Sequence, residues 1–88
     1  MTAKEIVDKI NSIMVKDFEI DPSRLNPEAA LRDDLGLDSL DGVDLVVAME
    51  REFHIHIEEE EARSMARLQD IYDYITEHTQ TDSGTTSR

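Results

Sequence analysis

The stretch Asp38-Ser39-Leu40-Asp41-Gly42-Val43-Asp44-Leu45-Val46-Val47-Ala48-Met49-Glu50-Arg51-Glu52-Phe53 decides how this chain folds. Asp38 with Asp41 three residues later is a helix-start signature. One carboxylate caps a free backbone N–H, and the other reaches back to the cap. Apolar residues then recur at helical spacing, which predicts a helix over residues 39–53. This helix carries two apolar faces. Leu45, Val46, Met49 and Phe53 make the expected core stripe, while Leu40, Val43 and Val47 make a second one bordered by Asp41, Asp44 and Glu50. Either the helix is buried almost all round, or the second strip is a recognition surface. Solvent exposure of Val43 and Val47 separates the two.

Working outward, Thr2 and Glu5 form another capping box, and Ile6, Ile10, Ile13 and Met14 predict a first helix over about residues 3–16. Pro22, Pro27 and Gly36 punctuate the connection from Glu19 to Asp38. Leu25, Leu31, Leu35 and Leu37 are placed to pin it to a core, and Asn26 before Pro27 can open one short helical turn. His54-Ile55-His56-Ile57 alternates like a strand but has no partner strand, and it reads as a turn out of the second helix. Glu58 to Glu61 lead into a short helix over about 59–64. Leu68, Ile71, Tyr72 and Ile75 mark a last amphipathic helix ending near Glu77 or His78. The expected fold is all-α: a four-helix bundle with three principal helices, one short third helix and a long loop between helices one and two. Residues 1–78 form the expected domain, and residues 79–88, with nothing apolar to bury, a disordered tail.

The 88 residues suffice for one modest core but not for a deep enclosed cleft as well. There is no cysteine, so no disulfide, no thiolate metal site and no protein thiol; any reactive sulfur has to be imported. No apolar run approaches a membrane span, and the expectation is a soluble, cytoplasmic monomer. Of the net charge of -12, residues 28–61 contribute 2 minus 12, or -10. Such a field repels nucleic acid and steers basic protein surfaces towards the middle of the chain. Acidity also serves solubility, which explains the sign but not the concentration. Catalysis and metal binding find little support. His54 and His56 on a solvated turn and His78 at a helix end make no nucleophile-base pair. A calcium loop with Gly42 at its sixth position would put Leu37 and Ala48 where carboxylates are required.

Ser39 heads the second apolar strip, and a cap by Asp38 leaves its hydroxyl free. A helix start also favours an attached phosphate, because unpaired N–H groups and the helix dipole stabilise negative charge. Spacing alone favours the plainer reading, in which Ser39 merely helps to cap the helix.

The segment Asp33-Asp34-Leu35-Gly36-Leu37-Asp38-Ser39-Leu40-Asp41 resembles the modification motif of acyl carrier proteins. The resemblance continues through Leu45 to Glu50 and Phe53, Glu59 to Ala62, and Ile71 to Ile75, covering about residues 3–77. It implies that Ser39 bears covalent 4′-phosphopantetheine from coenzyme A and that Asp38 helps the phosphopantetheinyl transferase engage. It further implies that Leu40, Asp41, Val43, Asp44, Val47 and Glu50 meet acyl-processing enzymes through their basic docking surfaces. Acyl cargo would be held as a thioester and fold back between the helices, and the chain itself would be no enzyme. Standalone length and acidity lean towards fatty acid biosynthesis. Carriers for polyketide, peptide or specialised lipid synthesis would look similar, and an unmodified acidic helical adaptor is the alternative of another class. Gly42, Arg51, Arg63 and Glu58 depart from the family pattern.

Overall fold

The computed structural model describes residues 2–84, with side chains described from residue 2 to residue 79. Helix α1 spans Ala3–Phe18, α2 Ser39–Phe53, α3 Glu59–Ser64 and α4 Leu68–Gly84, with a 3-10 turn at Pro22–Arg24. The architecture is all-α, as the sequence pattern requires. Within the described residues, extended pairing is limited to an isolated antiparallel bridge between Ala30 and Arg67.

Helix α1 opens with the Thr2/Glu5 box, in which Thr2 N–H donates to Glu5 Oε1 at 2.8 Å and Glu5 N–H to Thr2 Oγ1 at 3.2 Å. It runs two residues beyond the expected end at residue 16. Glu19 closes it in the left-handed conformation, φ 54°, and Ile20 N–H bonds back to the Met14 carbonyl at 3.2 Å. That closure turns Ile20 into the core, where it is buried. Burial of one apolar residue beyond the periodic stretch therefore fixes the helix end.

The core joins Ile6, Ile10 and Met14 of α1, Leu45, Met49 and Phe53 of α2, and Leu68, Ile71, Tyr72 and Ile75 of α4. Helix α1 packs on both α4 and α2. Tyr72 donates its hydroxyl to the Asn11 side chain, a polar tie between α4 and α1, and burial raises the Tyr72 phenol above its usual range. Lys9 and Glu52, 2.9 Å apart, link α1 to α2 at the surface.

The long connection is folded onto the bundle by its backbone. Leu31 N–H donates to the Ala66 carbonyl at 2.9 Å, Leu68 N–H to Ala29 at 3.0 Å and Gln69 N–H to Pro27 at 2.8 Å. Leu37 is buried, and Leu25, Leu31 and Leu35 pack partly buried against the core, as expected of them. The helical turn falls earlier than Asn26-Pro27, at Pro22–Arg24. There Asp21 accepts the Ser23 N–H at 2.9 Å, and proline supplies the first helical position. Asn26 caps only a tight turn, its side chain accepting the Glu28 N–H at 3.0 Å.

Helix α4 also departs from expectation. It continues to Gly84, past the end near Glu77 or His78 and across the boundary drawn between a domain of residues 1–78 and a disordered tail of 79–88. Each residue added to a formed helix gains one hydrogen bond, and neither glycine nor proline intervenes before Gly84, so the loss of apolar periodicity does not mark the end. Residues 85–88 of that tail lie outside the described residues.

Two outcomes follow from this packing. Ile10 is fully buried between helices, and Ile10→Ala lowers the unfolding free energy in urea by about 2–5 kcal/mol. The hydrogen bond from the Thr2 backbone holds the Glu5 carboxyl below its usual 4.5. Glu5 thus contributes stability that is fully present above about that pH and is lost as the pH falls through its lower folded-state value. Glu5→Gln makes the acid limb of a stability-pH curve shallower, and an unchanged limb would show that the box carries no linkage.

Candidate functional site

The head of α2 is built by paired acids. Asp38 accepts the Asp41 N–H at 2.9 Å, and Asp41 accepts the Asp38 N–H at 3.3 Å. Gly36, at φ +72°, supplies the left-handed residue that turns the chain into this cap. Ser39 is the first helical residue. It is exposed, and no hydrogen bond to a described residue engages its hydroxyl. With Asp38 doing the capping, the Ser39 oxygen is left accessible at the positive end of a helix.

The exposure test is decisive for the second strip. Leu40 is 75% exposed, Val43 61% and Val47 42%, whereas Leu45, Met49 and Phe53 are buried. Helix α2 is therefore not buried all round. Asp44 is exposed beside the strip.

Two of the carboxylates grouped with this surface have other engagements. Asp41 is half-buried and spent on the cap. Glu50 accepts the Ile57 N–H at 2.8 Å and lies 3.3 Å from His56 Nδ1, with 28% of its side chain exposed. His56 Nε2 is 3.3 Å from Glu58 as well, so this histidine stands between two acids on the way from α2 to α3. This brace escaped the sequence reading because nothing in helical or strand periodicity relates Glu50 to Ile57, seven residues on and past a left-handed His54 at φ 55°.

A groove of about 1140 Å³ opens beside Ser39. Leu31 and Leu37 of the connection, Val43, Val46 and Met49 of α2, Ala62 of α3, Met65, and Ile71 and Ile75 of α4 line it. Arg32, His56, Glu58 and Arg63 stand among its polar lining. Elsewhere on α4 the Tyr74 phenol is raised by burial, with the Glu61 and Glu58 carboxylates adding to the effect. Among the described residues, no group of three or more His, Asp or Glu side chains is placed to hold a metal ion, and no helix is long and apolar enough to cross a membrane.

The exposed Ser39 hydroxyl, engaged by none of the described residues, thus stands beside a groove with an apolar lining, an arrangement compatible with a carrier module. Residues 8–75 match the family described as a phosphopantetheine attachment site. An acyl carrier protein of Thermosynechococcus vestitus is 40% identical over 75 residues, covering 85% of this chain and 93% of that protein. One from Cyanidioschyzon merolae is 41% identical over 78 residues, covering 89% and 86%. The chain belongs to the phosphopantetheine-binding acyl carrier family. It is a carrier of acyl groups on covalently held 4′-phosphopantetheine and not an enzyme.

Gly42 sits in the second turn of α2, and a Cβ built there meets nothing within 4 Å. Gly42→Ala accordingly raises stability by roughly 0.5–1 kcal/mol, read as a higher urea midpoint at unchanged slope. A lowered midpoint would contradict the open space beside it.

Proposed function

We propose that Ser39 is the attachment point of the arm and that Leu40, Val43, Asp44 and Val47 form the docking face for the enzymes that load and use it. The observation that carries this reading is the exposed, unengaged Ser39 hydroxyl, held at a helix start by a cap that does not need it. The arm supplies the thiol that this cysteine-free chain lacks. Asp38 fixes the helix start and presents its acid next to the hydroxyl, where a basic transferase surface can find it. Asp41 joins the docking face through the cap it completes, and Glu50 by holding the α2 exit that ends the face.

The concentration of acid between residues 28 and 61 favours partners with basic docking surfaces: a phosphopantetheinyl transferase first, then acyl-processing enzymes. The pathway we favour is fatty acid biosynthesis in the cytoplasm, with the carrier acting as a monomer. A single acidic carrier that visits many enzymes gains from fast, electrostatically steered encounters, because the interfaces must also release quickly. The groove beside Ser39 supports shelter of the cargo between the helices. About eight buried methylenes would contribute about 6 kcal/mol, comparable with the stability of a small domain.

Incubating the purified chain with coenzyme A and a phosphopantetheinyl transferase tests the assignment. Intact mass increases by one phosphopantetheine in the natural sequence and does not change in Ser39→Ala. An unmodified natural chain would leave an acidic adaptor as the better description, and a modified Ser39→Ala would move the site elsewhere.

A further inference from the structure

The basic side chains along the groove are not equivalent. Arg63 is paired with Glu59 at 2.8 Å, and His56 stands between Glu50 and Glu58. Arg32 lines the same groove as Ser39 and makes no ion pair among the described residues. Of the two acids that follow it, Asp34 is committed to the Ala30 N–H at 2.8 Å, while Asp33 reaches the groove without closing on Arg32. An unpaired guanidinium is thus kept in the most acidic part of the chain.

Backbone closure brings it towards Ser39. Leu37 N–H donates to the Leu31 carbonyl at 2.9 Å, and Gly36 N–H to the Arg32 carbonyl at 3.1 Å, which folds residues 31–37 into a tight loop. Leu37 is two residues before Ser39, at most about 7 Å of extended chain. A phosphodiester on Ser39 would stand beside Asp38 and Asp41, whose charges repel it. Within the groove lining, Arg32 is the cation left to meet it.

We propose that Arg32 is a positioning residue for the prosthetic arm, its guanidinium pairing with the phosphodiester at Ser39 so that the arm leaves the helix start towards the groove. This rests on the assignment of Ser39 as the attachment point. The planar fork of arginine matches phosphate oxygens in a way a point charge does not, and an exposed pair of this kind weakens with salt.

The test compares unmodified and arm-bearing forms of the natural chain, Arg32→Gln and Arg32→Lys, each loaded from coenzyme A by a transferase and checked by intact mass. Proton-nitrogen spectra follow the arginine Nε–H groups, and thermal melting gives the stability gained on loading. In the natural chain the Arg32 Nε–H resonance shifts on loading, and the shift shrinks at high salt. The gain in Tm is smaller in Arg32→Gln by about 1–5 °C, and Arg32→Lys keeps part of it. An Arg32 resonance indifferent to loading, or an identical gain in Tm in Arg32→Gln, would overturn the inference while the mass increase upholds Ser39. If the natural chain gains no mass, both ideas fall together.

Discussion

A fifteen-residue helix in so small a bundle cannot bury two apolar faces, and this constraint shapes the molecule around α2. At about 100° per residue, the stripe of Leu45, Met49 and Phe53 and the strip of Leu40, Val43 and Val47 are centred about 150° apart. Covering the first with α1 and α4 leaves the second facing outward. An apolar strip rimmed by carboxylates is then kept in water, where it gains by burial only when another protein arrives. The local cap follows the same logic. Because Asp38 and Asp41 satisfy each other's backbone N–H groups, the residue between core and strip, Ser39, is excused from structural duty.

The groove next to Ser39 depends on how unequally its walls are fixed. The connection from α1 to α2 is tied by backbone hydrogen bonds to the segment joining α3 and α4, so a long loop behaves as a fastened layer. Asp70 strengthens the same joint by accepting the N–H groups of Ala66 and Arg67 at 2.8 and 3.0 Å. Helix α3 has much less behind it. It is six residues long, has no side-chain cap, and contributes no fully buried residue. A helix of that length has no independent stability and is held by the contacts it makes. Local opening therefore concentrates on this wall.

Long periodic elements were legible in the sequence because their cause is local. Capping boxes at Thr2 and Asp38, with apolar spacing behind them, placed the starts of α1 and α2 and the division of α2 into two faces. The ends were harder to see. Ile20 extends α1 by folding back through a left-handed Glu19, and α4 persists to Gly84 without any apolar demand, so neither end is written in periodicity. At the site, the reading of Ser39 rested on the family resemblance, whereas the exposed strip could be picked out from residue type and spacing. The internal commitment of Glu50 and the isolation of Arg32 could not. Both are tertiary facts: one depends on where the chain goes after His54, the other on which acids already have partners.

The exposed strip and the groove share residues. Val43 and Val47 belong to the exposed strip and also line the groove. A protein that covers the strip therefore touches the groove wall without reaching into it. Methylenes sheltered in the groove would contribute about 0.8 kcal/mol each, so a chain of moderate length would rival the fold in free energy. Helix α3 is the least anchored element, because α1, α4 and the hydrogen-bonded connection are held by core burial or backbone pairing, while α3 contributes only the partly buried Ala62. In this family member Glu58 caps α3 without a side-chain hydrogen bond, and its carboxylate meets His56 instead. The entry to α3 is thus held by buried Ile57 and by the Glu50 carboxylate on its N–H, and the His56–Glu58 contact adds to them at the surface.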